Sequence, residues 1–434
     1  MVTESNMEIL RKFDPEIAKI LADEEKKQHD TIDLIASENI ASDLSTCLEG
    51  SIFTNKNTEG YPGKRYVGGT YNEDKIELLA IQRLKELFNC EHANLQSGNA
   101  TIANSSIFMA MVNPGDTVLS MSLNDGGHLS HGGKFHFSGK FYNIVQYGVD
   151  KETGRINMEN VREIALQSKP KMIVCGASAY SRLIDYEGFR KIADEVGAYL
   201  WVDAAHIIGL IAGKVIPSPV PYADVVSFST QKTLRGPRGC GVILCKEEHK
   251  KKIDRGVFPG MQGGPKADMI AARAVLFKEC MTKEYQRYQK QVLKNAQALV
   301  KGCQREGIHV VSGGTDNHLA LLKVTDCVSN GKEAELLLES VGIMTNKNLI
   351  PDDNFSPQLT SGIRIGSPLM TTRGAKEDEM EYIGILLAKT LHNAGVADEL
   401  EKIRRKVLEI ANKYPMFSEE WKPGQISLSK LQDI

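Results

Sequence analysis

The sequence predicts an α/β fold in which a mostly parallel sheet is covered by helices on both faces, and three observations carry that reading. Short continuous apolar runs recur between about residues 73 and 245: TVLSM (117–121), KMIVCG (171–176), YLWVD (199–203), DVVSFS (224–229) and GVILC (241–245). Runs of this length that are apolar on both side-chain faces read as strands buried on both sides. The segments between them carry helical spacing, and strands alternating with helices build a parallel sheet. Finally, 434 residues at 41% hydrophobic exceed one ordinary core, so a large domain plus a smaller one is expected.

Taken in order, residues 1–40 read as an N-terminal arm, with an apolar helical pattern at Ile9, Leu10, Ile17 and Ile20 that fits either a docked surface helix or a segment wrapped around a partner. Residues 41–285 read as the large domain, opening with a helix from Glu73 to Asn89 whose apolar positions are Ile76, Leu79, Leu84 and Leu87. The charged helical stretch from Lys283 to Val300 leads into a smaller C-terminal α/β domain, 286–434. There is no internal repeat and no low-complexity tract.

Formal net charge is −2 and pI about 6.6, with Lys and Arg spread rather than blocked. That excludes a nucleic-acid footprint or a basic membrane-surface helix. No apolar run approaches the roughly 20 residues of a membrane span, and MVTESNMEILRKFD lacks an apolar signal core, so a cytoplasmic location is expected. The eight cysteines are scattered without a Cys-x-x-Cys pair and read as reduced, mainly core residues, with Cys175 and Cys245 inside apolar runs. The ten histidines show no ligand spacing, and no metal is expected.

The most informative stretch is VVSFSTQKTLRGPRGCG (225–241), where a β-branched run ends in Ser and Thr, then Lys232, then a glycine-rich basic turn. Most lysines are solvated surface groups, but this one follows a buried-type strand and is trailed by Gly236, Pro237 and Gly239, which hold a loop near a ligand. YLWVD ends on Asp203, followed by His206. In a parallel sheet, ligands bind beyond the carboxyl ends of the strands, where Asp203 and Lys232 both fall. A carboxylate for a pyridinium nitrogen and an amine for a Schiff base are what pyridoxal phosphate requires.

VDAAHIIGL, STQKTLRGPRGCG, LIASENIAS, NTEGYPGKRYVGG, GGHLSHG, FSGKFYNIVQYGVD, GASAYSRLIDY, VFPGMQGGP, VSGGTDNHL, TNKN and TSGIRIGSP resemble, in order, the landmarks of serine hydroxymethyltransferases, from about Asp33 to Tyr414. The resemblance implies pyridoxal-phosphate fold type I, an amino-acid substrate and a homodimer with shared active sites. By it Lys232 forms the Schiff base, Asp203 holds the pyridine nitrogen protonated, His128 stacks on the ring, His206 lies near the phenolic oxygen, and Ser178 and Gln231 border the cofactor. The family's Ser-Gly-Ser phosphate loop corresponds to Asn99, Ala100 and Thr101, where helix N-terminal amides favour an anion. Arg364 matches the arginine that takes the substrate carboxylate, a task for a guanidinium fork, with Ser37 assisting. Glu59 resembles the carboxylate that moves protons on the hydroxymethyl group and the folate. Tyr66 falls at a substrate position, and Leu123, Leu129 and Asn348 at positions where the family binds tetrahydrofolate, a possible co-substrate.

The sequence also departs from the family. Asn57 and Val67 stand where two tyrosines are usual, Gln231 replaces a histidine, Ala204 a methionine, and Asn124-Asp125 an alanine-histidine pair. These changes fall on the substrate and folate side. Three readings follow: a serine hydroxymethyltransferase; a folate-independent aldolase or transaldolase that joins a glycine carbanion to another aldehyde; and a non-catalytic binding partner, against which the joint retention of Lys232, Asp203, His128 and Arg364 argues.

Overall fold

The computed structural model describes residues 4–416. Its centre is a seven-stranded sheet formed by β1 (His92–Ser97), β2 (Thr117–Met121), β3 (Asn143–Tyr147), β4 (Met172–Cys175), β5 (Tyr199–Asp203), β6 (Val225–Ser229) and β7 (Gly241–Cys245), in the spatial order β1-β7-β6-β5-β4-β2-β3. The pairs β2–β3, β2–β4, β4–β5 and β5–β6 are parallel, while β7 runs antiparallel to both β6 and β1. Every apolar run singled out in the sequence is a strand of this sheet. The periodicity expected for Glu73–Asn89 is the helix α1, Tyr71–Phe88, closed by Asn89 in the left-handed conformation.

The two edge strands carry no such runs. HANLQS (β1) and NIVQY (β3) mix polar and apolar residues. All of β1 is nevertheless buried, and its amide side chains find partners: Asn94 donates to Tyr61 Oη (2.9 Å) and Asp254 (2.8 Å), and Gln96 to Gly60 O (3.0 Å) and Glu77 (2.7 Å).

Both faces of the sheet are covered. One apolar cluster joins Leu119, Ile173, Val202, Phe228 and Leu244 to α1 and to the helix Tyr186–Val196. The other joins Val118, Val174, Trp201, Val225 and Ile243 to α2, Ala100–Met111. A further core lies around a four-stranded antiparallel sheet containing Leu319–Lys323, Asn346–Asn348 and Gly362–Gly366. Ile32 and Leu34 are buried in it, since Ile32–Asp33 pairs in parallel with Ile343–Met344. The helix Lys283–Arg305 spans both regions, with Tyr288 and Val292 in the first core and Leu299 and Cys303 in the other.

The N-terminal pattern forms two helices, Glu4–Phe13 and Pro15–Asp30. Their apolar residues Ile9, Phe13, Ile17 and Ile20 remain exposed. All eight cysteines are free thiols, and six of them, Cys175 and Cys245 included, are buried. No helix among the described residues is long and apolar enough to cross a membrane.

Candidate active site

The ends of β5 and β6 open into a cavity of about 340 Å³. Of the residues singled out in the sequence, Ser37, Asn99, Ala100, Thr101, His128, Ser178, Asp203, His206, Gln231, Lys232 and Arg364 line it. Asn104, His131, Ala177, Ala205, Ser229 and Arg238 complete the lining. Glu59, Tyr66, Leu123, Leu129 and Asn348 are not in its wall.

Asp203 ends β5 and is held from two directions. Its Oδ2 accepts hydrogen bonds from His131 Nε2 and Asn104 Nδ2, both at 2.8 Å, and its Oδ1 accepts from the Ala205 N–H at 3.0 Å. Burial alone would raise this carboxyl; the His131 hydrogen bond and the nitrogen groups around it outweigh that and hold it well below the usual carboxylate range. An anion is therefore built into the floor of the cavity.

The proton positions around Asp203 follow from one donor-only group. Trp201 Nε1 donates to Ser227 Oγ (2.9 Å), so the serine hydroxyl donates onward to Asn104 Oδ1 (2.7 Å). Both Asn104 amide hydrogens are then directed, one at Asp203 and one at Ser130 Oγ (2.8 Å). Ser130 gives its hydroxyl hydrogen to His128 Nδ1 (2.7 Å), which also accepts from the Ser130 N–H (3.2 Å). His128 thus keeps its proton on Nε2. Burial first, then the neighbouring His131, pushes its imidazolium down to about 4, so the ring is neutral at pH 7.

The GGH turn that carries His128 needs its glycines. A Cβ at Gly127 would lie 2.2 Å from Met121 O. Gly126 O accepts from the amides of Ser178 (2.8 Å) and Ala179 (3.2 Å), so the turn is tied to the segment beneath Arg364.

Lys232 follows β6. Burial pushes its ammonium down to about 8, with Asp203 opposing and Arg364 and Arg238 adding to the shift. A substantial neutral fraction near pH 8 makes this amine a nucleophile. Asn99, in the same wall, caps α2 by accepting from the Ile102 N–H (2.9 Å), and the first-turn residues Ala100 and Thr101 line the cavity, their amides without intrahelical partners. Ser229 Oγ lines the same cavity, is buried, and has no partner among the described residues. An orphaned hydroxyl beside a helix N-terminus is what an anionic group such as a phosphate would satisfy.

Arg364 is buried and has no carboxylate partner among the described residues. Its Nε donates to Asn346 Oδ1 (3.1 Å), and Nη1 donates to Ser178 O (2.6 Å) and, more weakly, to His206 Nε2 (3.4 Å). His206 therefore carries its proton on Nδ1, which points to His318 Nε2 at 3.3 Å. Burial, with Lys232 and Arg364 adding, holds His206 neutral, and it pushes His318 down to about 3. Nη2 of Arg364 remains for a ligand, and an anion there would relieve the burial that pushes this guanidinium down to about 10.

The sequence reading passed over His131, Asn104 and Ser229. His131 belongs to the quoted GGHLSHG motif, and Asn104 is a buried amide in a helix that also buries Ser105 and Ser106, so only the motif gave a signal, and their shared target is a tertiary fact.

The departures sort by position. Gln231 lines both this cavity and a neighbouring one of about 390 Å³. Ala204 is fully buried in the core and contributes nothing to the cavity wall. Asn57 accepts from the Glu59 N–H (3.0 Å), a local turn contact, and Asp125 is bonded to the Ser122 hydroxyl. Val67 is exposed.

The arrangement brings together in one cavity an anion, an anion-accepting helix terminus, a nucleophilic amine and a buried guanidinium. The sequence model of the family described as serine hydroxymethyltransferase matches residues 10–387, most of the chain. The chain belongs to the serine hydroxymethyltransferase family, whose members are pyridoxal-phosphate enzymes of hydroxymethyl-transfer and aldolase type with amino-acid substrates.

Proposed function

We propose that the protein cleaves the Cα–Cβ bond of serine reversibly, passing the one-carbon unit to tetrahydrofolate and leaving glycine. The observation that carries this reading is the joint presence in one cavity of Lys232, Asp203, His128 and Arg364. When bound, pyridoxal phosphate supplies an electron sink for the pair released at the substrate α-carbon. Lys232 would hold it by its amine, Asp203 by a charge-assisted hydrogen bond to a protonated ring nitrogen, and Thr101, Ser229 and the first-turn amides of α2 by its phosphate.

The chain's own groups divide the remaining work. Arg364 Nη2, with Ser37 nearby, orients the substrate carboxylate. His128, neutral with Nε2 protonated, offers a flat face that adds no positive charge against a pyridinium. Glu59 moves protons on the hydroxymethyl group, and Tyr66, Leu123, Leu129 and Asn348 border the substrate and folate. None of these last five lines the cavity of its own chain, and Tyr66 is 74% exposed. That supports a homodimer in which Glu59 and Tyr66 serve a neighbouring copy, as do the exposed Ile9, Phe13, Ile17 and Ile20. Buried free thiols fit a cytoplasmic location.

A second reading, a folate-independent aldolase or transaldolase, draws on Gln231. An amide that cannot titrate lines both cavities, where the family usually has histidine, so an acid–base group the family offers on that side is absent.

Absorbance of the purified holoenzyme with glycine, with and without tetrahydrofolate, separates the two. A long-wavelength band that requires folate is expected for hydroxymethyl transfer. A strong band without folate would shift the assignment to the aldolase, and no response to glycine in either condition would remove both.

A further inference from the structure

We propose that Arg65 is the positioning residue for Glu59, holding the backbone carbonyls of the residues before and after it; this rests on the role given above to Glu59. Arg65 lies at the end of a two-stranded hairpin, Gly60–Tyr61 paired with Lys64–Arg65. Its side chain is only 3% exposed. Nη1 donates to Thr58 O (2.7 Å) and Gly60 O (2.8 Å), the two carbonyls that flank Glu59 in the chain. Nε donates to Asp74 Oδ1 (2.8 Å) and Nη2 to Glu77 Oε2 (2.6 Å), both on α1.

Four of the five guanidinium hydrogens are thus engaged, two on the segment and two on a rigid helix. The helix side is itself anchored. Glu77 Oε1 accepts from Gln96 Nε2 (2.7 Å), which also reaches Gly60 O (3.0 Å), and Gln96 belongs to β1, immediately before the loop that leads to Asn99 and Ala100. Thr58 Oγ1 donates to Pro265 O (2.7 Å), closing the far side. Two carbonyls fixed on either side of one residue leave its Cα–Cβ direction little freedom, although the Glu59 carboxylate itself has no hydrogen bond among the described residues. The half-buried acid-bearing residue is therefore held by its backbone. A lysine at 65 could keep the charge opposite Glu77 but not span two carbonyls and two carboxylates with one ammonium group.

The alternative is that Arg65 only staples the hairpin, and a double-mutant cycle in the holoenzyme separates the two roles. Serine cleavage, glycine α-proton exchange and the visible spectrum would be measured for Arg65→Lys, Glu59→Gln and the double variant. For Arg65→Lys, kcat for cleavage is expected to fall about 10- to 100-fold, the loss that an error near 1 Å in a reacting group brings, with KM, glycine exchange and spectrum unchanged. The double variant should be no slower than Glu59→Gln alone. Losses that multiply, full cleavage activity in Arg65→Lys, or an equal fall in glycine exchange would overturn the clamp. Full cleavage activity in Glu59→Gln would remove the role of Glu59, and with it the clamp's object.

Discussion

The floor of the cavity and the hairpin that carries Glu59 bear chemistry in opposite ways. At the floor, Asp203, Asn104, His131, Ser130 and His128 are buried or nearly so and each is held by side-chain hydrogen bonds of known sense. At the hairpin, the segment carrying Glu59 and Tyr66 is held through the backbone, while the Glu59 side chain is half-buried without a hydrogen bond among the described residues and Tyr66 is largely exposed. The first arrangement sets charge and tautomer before any ligand arrives, and the second fixes position and leaves the chemistry to whatever docks against it. Preorganised polarity suits a group whose demands are fixed; an acid placed by its backbone and left without a hydrogen bond is free to meet whatever is brought to it.

The contrast can be broken at its strongest point first. Lys232→Ala should remove the visible absorbance that bound cofactor brings and reduce serine cleavage to background; a retained spectrum would discard the assignment of the amine. Asp203→Asn keeps the shape and loses the charge, so turnover should fall about 100-fold, near 2.7 kcal/mol in barrier, with cofactor still bound. Full turnover there would mean the floor's charge is idle.

His131→Asn removes one donor to a buried carboxylate, which costs roughly 1.5–3 kcal/mol and should slow turnover by about tenfold or more. If the variant matches the parent, Asn104 alone suffices.

The pH dependence has a definite sign for Lys232. Its folded-state value, about 8, lies below the 10.5 of an unfolded lysine, so between these values the unfolded chain binds more protons and stability of the cofactor-free protein from this group rises with pH. Below about pH 8 its full penalty is present. Comparing melting temperatures of parent and Lys232→Met at pH 7.5 and 9.5 should show the variant's advantage shrinking at the higher pH; a constant difference would contradict the shift.

The smallest effect belongs to the hairpin. Asn57→Tyr with Val67→Tyr should raise folate-dependent serine cleavage a few-fold if those positions set specificity, and an unchanged rate would assign the difference elsewhere, with Gln231 the next position to test.

The sequence made the floor's two principal residues legible because strand ends announce themselves. Apolar runs stop at Asp203 and just before Lys232, and in a parallel sheet those ends share one rim. The motifs also supplied His128 and Arg364. Asn104 and His131 could not be placed the same way: one sits on a helix after β1, the other three residues past the GGH turn, and only the packing of both against β5 brings them to one oxygen. The edge strand β1 was hidden for a related reason, since its polar residues look unlike a buried run until their partners on other elements are known, whereas β3 keeps its polar residues exposed at the sheet edge. Ala204 shows the converse, because its motif position suggested a substrate effect while its side chain belongs to the core.

The indole of Trp201 gives the floor a direction, and a directed chain constrains how such a pocket can change over generations. Exchanging Asn104 for an acid, or Ser227 for a residue without a hydroxyl, leaves a neighbour facing a lone pair with nothing to give or a hydrogen with nowhere to go, so viable variants of the floor have to arrive as matched pairs. Positions such as Asn57 and Val67 carry no such debt to one another and can be exchanged one at a time. New specificities in a protein of this construction are therefore reached by single steps at the rim, around a centre that can move only in concert.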